Sequence, residues 1–537
     1  MNNRFVFWSR RLRPLTPTLI SQLESKSMMK RLIWMGLIGW GLLGFACDDK
    51  KEAPDPEPEE KVELQASPLQ LSFEAEGGVQ EVKITSNGVW QIDFSGSAWA
   101  RPNISSGQGN ALVRITADPN TTTQVRSLSL SIKAVGLEAL ILELQQAAGE
   151  EAEEPVADVF QFEPTLEPDQ TGMRDLTALE LSELMGLGWN LGNSLEAIVA
   201  SNGVYSGGES SWGNPVTTKA LIDGVKAAGF NTLRIPVSWS HKLADRDNML
   251  ISLTWLQRVE EVVNYALDND MFVKINVHWD GGWLDHPLYD QQEALNTRLA
   301  AYWQQIAAYF RDYDDRLLFA GTNEVHLEGS YADPSAEHLA VQNSFNQTFV
   351  ETVRATGGRN AYRHLVVQGF NTNITHTVNG FVLPADEAAD KLFVEVHYYD
   401  PYEFALKEDQ PYDTQWGASF AGGDVSPWGQ EAWVEEAFGK MKTSFVDKGV
   451  PVIIGEYGAL HRTDLQSLGG ETYAQHKAAR EFYLEYVTRS ALEKGLVPVY
   501  WDNGHLGNNG FGLFDRSNGE VEDQGAVDAL MRAKLVE

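Results

Sequence analysis

The sequence predicts an α/β chain in which a (β/α)8 barrel follows a small all-β sandwich. Three observations carry that prediction. From about residue 171 to the end, eight short apolar runs alternate with amphipathic stretches, the pattern of parallel strands each followed by a helix. Between 64 and 148, apolar residues recur at every second position in short runs separated by Gly, Asn and Pro clusters, as in antiparallel strands joined by tight turns. Two acidic, proline-bearing stretches, 48–63 and 149–170, read as solvated linkers before and after that second region.

The 537 residues are 43% hydrophobic and 10% aromatic, enough apolar material for a large core. The formal net charge of −33 argues against nucleic acid, whose phosphates need Lys and Arg, and against strongly anionic polysaccharides. A neutral substrate fits better, and the chain is expected to act as a monomer. The single cysteine, Cys47, excludes an intrachain disulfide and a cysteine-based metal site. His286, His326 and His505 lack metal-ligand spacing, so neither metal nor cofactor is expected. The pair Asp314-Asp315 reads as solvated loop charge.

Residues 1–47 read as an address. Lys30-Arg31 precedes an apolar run over 32–45, which ends in Ala46-Cys47. A basic segment, a short apolar segment and a small residue make a secretory signal, too short for a membrane span of about 20 residues. Met28 or Met29 is the expected start. A lone Cys closing the run resembles the lipobox of bacterial lipoproteins, although Gly44 stands where a branched apolar residue is usual. Asp48-Asp49 resembles the surface-export signal of Bacteroidota lipoproteins. The resemblance implies lipidation at Cys47 and an outer-membrane, cell-surface location.

In the region 64–148 the alternating runs are 69–73, 79–84, 90–94, 111–115, 128–132 and 140–144. Ser67-Pro68, Gly77-Gly78, Ser86-Asn87-Gly88-Val89-Trp90, Trp99, Arg126 and Gln145-Gln146-Ala147 resemble the BACON domain of Bacteroidota polysaccharide-degrading proteins, an immunoglobulin-like sandwich. Trp90 and Trp99 offer rings that stack on sugars, but large aromatics usually fill so small a core, and that is the expectation here.

In the region 171–537 the strand candidates are 188–191, 232–235, 272–277, 317–320, 364–367, 392–396, 451–454 and 497–500. Helical patterns lie at 217–228, 253–269, 296–313, 337–356, 433–448 and 472–494. Each apolar run stops at polar or aromatic residues: Asn190 and Asn193, Arg234, His278, Asn323-Glu324, Gln368, His397 and Tyr399, Glu456, Trp501. A barrel builds its active site from the carboxyl ends of several strands, and a buried core would not place polar residues there so regularly. Glu324 and Glu456 lie three strands apart and can face each other across the barrel mouth. Two carboxyls flanking one bond are what glycoside hydrolysis needs, one to protonate the leaving oxygen and one to attack or to activate water.

The motifs Gly188-Trp189-Asn190-Leu191-Gly192-Asn193-Ser194-Leu195-Glu196, Gly229-Phe230-Asn231-Thr232-Leu233-Arg234-Ile235-Pro236, Thr322-Asn323-Glu324, His397-Tyr398-Tyr399-Asp400-Pro401, Ile454-Gly455-Glu456-Tyr457-Gly458 and Trp501-Asp502-Asn503-Gly504 resemble glycoside hydrolase family five. The resemblance implies a retaining enzyme with Glu324 as acid/base and Glu456 as nucleophile. Asn323 would hold the sugar 2-hydroxyl, and Arg234 and Tyr399 would orient Glu456 and keep it ionised. His278 and His397 would bind sugar and carboxylates, Trp501 would stack under the sugar, and Asn193 would line the cleft. Arg234 beside Glu456 then leaves Glu324 as the carboxyl whose pKa is raised.

Many relatives carry His-His where this chain has His278-Trp279. Trp279 and Trp283 either add stacking surface or pack loops over the barrel, and the sequence leaves both open. Trp212-Gly213-Asn214-Pro215 resembles the subfamily of endoglucanases, xyloglucanases and mixed-linkage glucanases. The expected activity is therefore an endo-β-1,4-glucanase of the cellulase type. The alternatives are xyloglucanase, mixed-linkage glucanase or mannanase activity on the same frame, and a non-catalytic surface glycan-binding barrel.

Overall fold

A computed structural model describes residues 61–94, 99–122, 124–149, 158–201, 204–330, 332–420 and 423–535. The signal region and Cys47 lie outside these residues, as do most of the first acidic linker and 150–157 of the second.

Val62–Glu537 holds two separate large cores. The N-terminal one lies between two sheets. Leu64–Ser67, Gly78–Ser86, Ala111–Ala117 and Ala100–Pro102 form four strands in that spatial order, and Gln70–Phe73, Leu140–Gln146, Arg126–Ala134, Val89–Asp93 and Ser106–Gln108 form five. Strict alternation within the strands sends Val82, Ile84, Ile92, Val113, Ile115, Leu130, Ile132, Leu142 and Leu144 inward. Trp90 is buried among them and donates from its indole to the Gly109 carbonyl over 2.9 Å. Trp99 packs edge-on to Phe73, with Arg126 over its ring face. Both rings belong to the core side, as the sequence leads one to expect.

The second core is a closed parallel barrel whose strand order follows the sequence. Its strands are β1 (Gly188–Asn190), β2 (Thr232–Ile235), β3 (Phe272–Asn276), β4 (Leu317–Ala320), β5 (Leu365–Gln368), β6 (Leu392–Tyr398), β7 (Val452–Tyr457) and β8 (Leu496–Tyr500). Every strand residue is buried, because helices cover the outside and side chains fill the inside.

The helices Lys219–Ala227, Leu253–Leu267, Ala336–Ala355, Glu431–Ser444 and Gly470–Glu493 fall where the periodicity predicts them. Tyr289–Tyr309 starts and ends earlier than 296–313, because its first turns are Asp, Gln and Glu and give no apolar period. Ala178–Met185 is an element the sequence reading lacks. Its Leu181 and Met185 pack against Phe272, Leu318, Phe393, Ile453 and Val497, which begin or nearly begin their strands. This short helix thereby closes the amino-terminal mouth of the barrel, opposite the end where the site is built.

Asp314-Asp315 corrects an expectation. Asp315 is buried and pairs with Arg174 Nε at 2.7 Å, and Asp314 accepts from the Arg316 guanidinium at 2.9 Å. A loop between helix and strand at the crowded barrel base leaves little room for solvated charge.

Candidate active site

The inner positions of β2, β3, β6 and β7 are not all apolar. Arg234, Lys274, Glu395, His397 and Glu456 point into the barrel, and the upper layer of its interior is ionic. Arg234 stands at its centre. Nη1 donates to Glu456 Oε1 over 2.7 Å and to Asn190 Oδ1 over 2.8 Å, and Nη2 donates to Asn323 Oδ1 over 2.5 Å. A planar guanidinium with its donors in a fixed fork is suited to holding one carboxylate in one orientation. The Tyr399 hydroxyl donates to the other oxygen, Glu456 Oε2, over 3.1 Å.

Glu324 follows β4 in a left-handed conformation, φ 50°. Its amide donates to Gln368 Oε1 at the end of β5 over 3.1 Å. The His326 ring nitrogen lies 2.9 Å from its carbonyl. Its side chain is 41% exposed, whereas that of Glu456 is 7% exposed, so Glu324 reaches into the cleft and Glu456 lies at its floor. His397 bridges them: Nδ1 is 2.6 Å from Glu324 Oε1 and 3.7 Å from Glu456 Oε2. One oxygen of Glu324 and one of Glu456 lie within 4.8 Å of each other.

The remaining predicted residues surround this pair. His278, just past β3, stacks on Trp501, just past β8, with ring planes 6° apart and centroids at 5.9 Å. Its Nδ1 lies 3.2 Å from the Asn276 amide. Asn193 is half-buried past β1, in a left-handed turn that the buried Glu196 carboxylate holds through the amides of Asn193 and Ser194. Trp283 is buried against Tyr302 and Arg298, a loop-packing role. Trp279 is half-buried, 6.4 Å from the exposed Trp212.

The site's titrations follow from these contacts. Burial works against a charged His397, but Glu456 and Glu324 outweigh it and raise the imidazole to about 9. Burial pushes Glu456 up, against the pull of His397 and Arg234. Burial also works on Glu324, but cationic His397 in direct contact brings it below the usual carboxylate range. The direction expected for Glu324 is thus reversed. Sequence places Arg234 beside Glu456 but cannot place an imidazolium against Glu324. His278, buried beside Arg234 and His397, is held well below its usual value and stays neutral.

Glu324, His397 and Glu456 also have the spacing of a metal-ligand group. The donor set does not suit a cation, since His397 holds a proton through neutral pH and Arg234 already occupies Glu456.

Sequence reasoning passed over Lys274 and Glu395. Their signal was a single charge inside an apolar strand, Val273-Lys274-Ile275 and Val394-Glu395-Val396. Such a charge in a buried strand faces either a partner or a site.

Two carboxyls this close across the mouth of a (β/α)8 barrel define the class, a glycoside hydrolase. The model of the cellulase family, glycosyl hydrolase family 5, matches residues 198–507. A xyloglucan-specific endo-β-1,4-glucanase of Bacteroides ovatus is 44% identical over 465 residues, 86% of this chain and 89% of that one. That is more than the segment 171–537 holds, so the likeness extends into the N-terminal region. Endoglucanase A of Paenibacillus barcinonensis is 41% identical over 377 residues, 67% of this chain and 91% of that one. The solved Bacteroides ovatus GH5 xyloglucanase, in complex with a XXXG heptasaccharide, superposes with a TM-score of 0.67 at 43% identity, covering 88% of this chain and 99% of that one. The chain belongs to glycosyl hydrolase family 5.

Proposed function

We propose that the chain is a retaining endo-β-1,4-glucanase that cuts neutral β-glucan chains within their length. The observation that carries the reading is the pair Glu324 and Glu456, with oxygens within 4.8 Å and opposite supports. Inverting enzymes keep their carboxyls about 6.5–9.5 Å apart to admit a water, and retaining ones about 5–5.5 Å. Glu456, fixed by Arg234 and Tyr399, attacks the anomeric carbon as Glu324 protonates the departing glycosidic oxygen. A glycosyl-enzyme ester forms on Glu456. Glu324 then takes a proton from water, the water oxygen attacks the anomeric carbon, and Glu456 leaves, so the β configuration is restored. The proton that Glu324 delivers is stored in its hydrogen bond to His397. Asn323, whose Oδ1 accepts from Arg234, turns its amide Nδ2 to the sugar 2-hydroxyl. Trp501, braced by His278, is the platform under the sugar ring.

Xyloglucan is the favoured polymer, because relatives described as acting on it align with most of this chain. Turnover by the purified mature chain on xyloglucan, barley β-glucan, carboxymethylcellulose, glucomannan and mannan tests the reading. Proton NMR of the first product identifies the anomer. Xyloglucan as the best substrate and an initial β-anomer are expected. No hydrolysis of any of these polysaccharides would leave only the glycan-binding barrel.

We also read Cys47 as the lipidated residue of a cell-surface lipoprotein and 64–148 as a BACON-type spacer. The lone Cys after the apolar run and the separate core of the sandwich support this. Cys47→Ser should move the protein from the membrane to the soluble fraction. An unchanged membrane fraction counts against the anchor.

A further inference from the structure

Beneath the two reacting carboxyls lies a third. Glu395 sits on β6 two residues before His397, and its side chain has no exposed surface. Its Oε1 lies 3.2 Å from His397 Nε2 and 3.3 Å from Arg234 Nε. Its Oε2 accepts from the buried Lys274 ammonium. One carboxylate therefore touches both the imidazole that contacts Glu324 and the guanidinium that holds Glu456.

The backbone makes room for it. Along β6 and β7, Val396 pairs with Ile454 but His397 pairs with Glu456, so Gly455 is the extra residue of a bulge. A Cβ at Gly455 would lie 2.1 Å from Glu395 Oε1. The bulge that turns Glu456 towards the cleft also opens the slot that Glu395 fills. Stability alone gives no reason for such a group, since a buried ion pair is commonly no better than apolar residues of the same volume.

We propose that Glu395 and Lys274 are positioning residues for the reaction: Glu395 locks His397 against Glu324 and Arg234 against Glu456 together, and Lys274 neutralises it. This rests on the roles proposed above for Glu324 and Glu456. The groups facing His397 are Glu395 on its own strand, Arg234 from β2, Lys274 and His278 from β3, Glu324 after β4, and Tyr399 and Glu456 from β6 and β7. Among these, Arg234, Lys274 and protonated His397 balance Glu395, Glu456 and Glu324. Replacing Glu395 by a neutral side chain takes the charged acceptor away from His397 Nε2, so the imidazole holds its proton less firmly, whether or not Lys274 is charged. The proton for the leaving oxygen would then be lost at lower pH. The Lys274 ammonium, pushed down to about 8 by burial, is stabilised chiefly by Glu395, so it sheds its proton when Glu395 is made neutral and removes the excess charge.

The test uses the mature chain on xyloglucan, with wild type and Glu456→Gln in the same assay. Glu395→Gln should lower kcat by about 10- to 100-fold, the usual cost of removing a group that orients a reacting side chain. KM should change much less. The alkaline limb of kcat/KM should move to lower pH by about one unit or more. Glu395→Gln/Lys274→Met removes both charges; it should recover the Tm lost by the single variant and keep the kcat loss and the shifted limb. Recovery of kcat together with Tm, or an unmoved limb in either variant, overturns the proposal. So does failure of the double variant to fold, which would make the pair a requirement of the fold. An inactive wild type, or an active Glu456→Gln, overturns the underlying reading instead.

Discussion

His397 Nδ1 stands 2.6 Å from Oε1 of Glu324, close enough for the imidazole and the carboxyl to share one proton. With Glu456 nearby, the three groups titrate as a unit. The catalytic proton belongs to the contact rather than to either residue.

The pH profile follows from this contact. Glu456 must be anionic to attack, and burial raises it above an ordinary glutamate. Activity on xyloglucan should therefore fall, as pH is lowered, before the usual glutamate range near 4.3 is reached. At the other end, the proton shared by His397 and Glu324 is retained until the imidazole, raised to about 9, gives it up. A bell with its alkaline limb well above neutral is expected for kcat/KM. On an aryl glucoside whose leaving group needs no proton, the glycosylation step should lose the alkaline limb. An identical limb on both substrates would exclude Glu324 as the acid.

Glu456→Gln keeps the shape and the acceptor for Arg234 but removes the nucleophile. Turnover should fall by at least about 10^4-fold, while calorimetry still shows oligosaccharide binding. Glu324→Ala should be rescued by azide on activated aryl glycosides, giving the β-azide product. Rescue of Glu456→Ala instead, with an α-azide, would exchange the two roles.

Trp501→Ala removes an aromatic platform and the partner on which His278 stacks. Losing the burial of one such ring is worth about 1.5–3 kcal/mol, so kcat/KM should drop roughly 10- to 100-fold. A drop in kcat/KM below about threefold would remove Trp501 from the sugar-binding surface.

Asp523 tests the scaffold away from the site. It pairs with the buried Arg480 at 2.6 Å and caps the helix Gln524–Arg532 through the Ala526 amide. Its pKa is depressed, chiefly by Arg480 and His461 acting against burial. The stabilisation is therefore fully present above the ordinary aspartate value near 3.9 and is lost as pH falls through the lower folded value. Asp523→Ala should cost about 3–5 kcal/mol at neutral pH, because it leaves a buried guanidinium unpaired. Urea unfolding at pH 7 and pH 3 should show the difference between variant and wild type shrinking at the lower pH, with kcat at 25 °C unchanged.

Much of the molecule is legible in the sequence alone. Eight apolar runs with polar ends identify a parallel barrel and mark which end carries chemistry, because a buried strand tolerates a polar residue only at a partner or a site. The size of Trp90 in so small a sandwich likewise marks it as core, and the structure buries it. These are local signals of period, composition and chain order, and they place Glu324 just past β4 and Glu456 on β7, at one mouth. Tertiary structure alone decided the rest. Periodicity hardly separates the short helix Ala178–Met185 from a loop, and only its fit under the barrel fixes it. Nor does spacing reveal that His397 turns one nitrogen to Glu324 and the other to Glu395, or that Lys274 and Glu395 meet across the interior from β3 and β6. Residue type tells which groups can ionise. Which of them holds the proton depends on charges brought within a few ångströms by strands far apart in the chain, and that distance is set by the closing of the barrel.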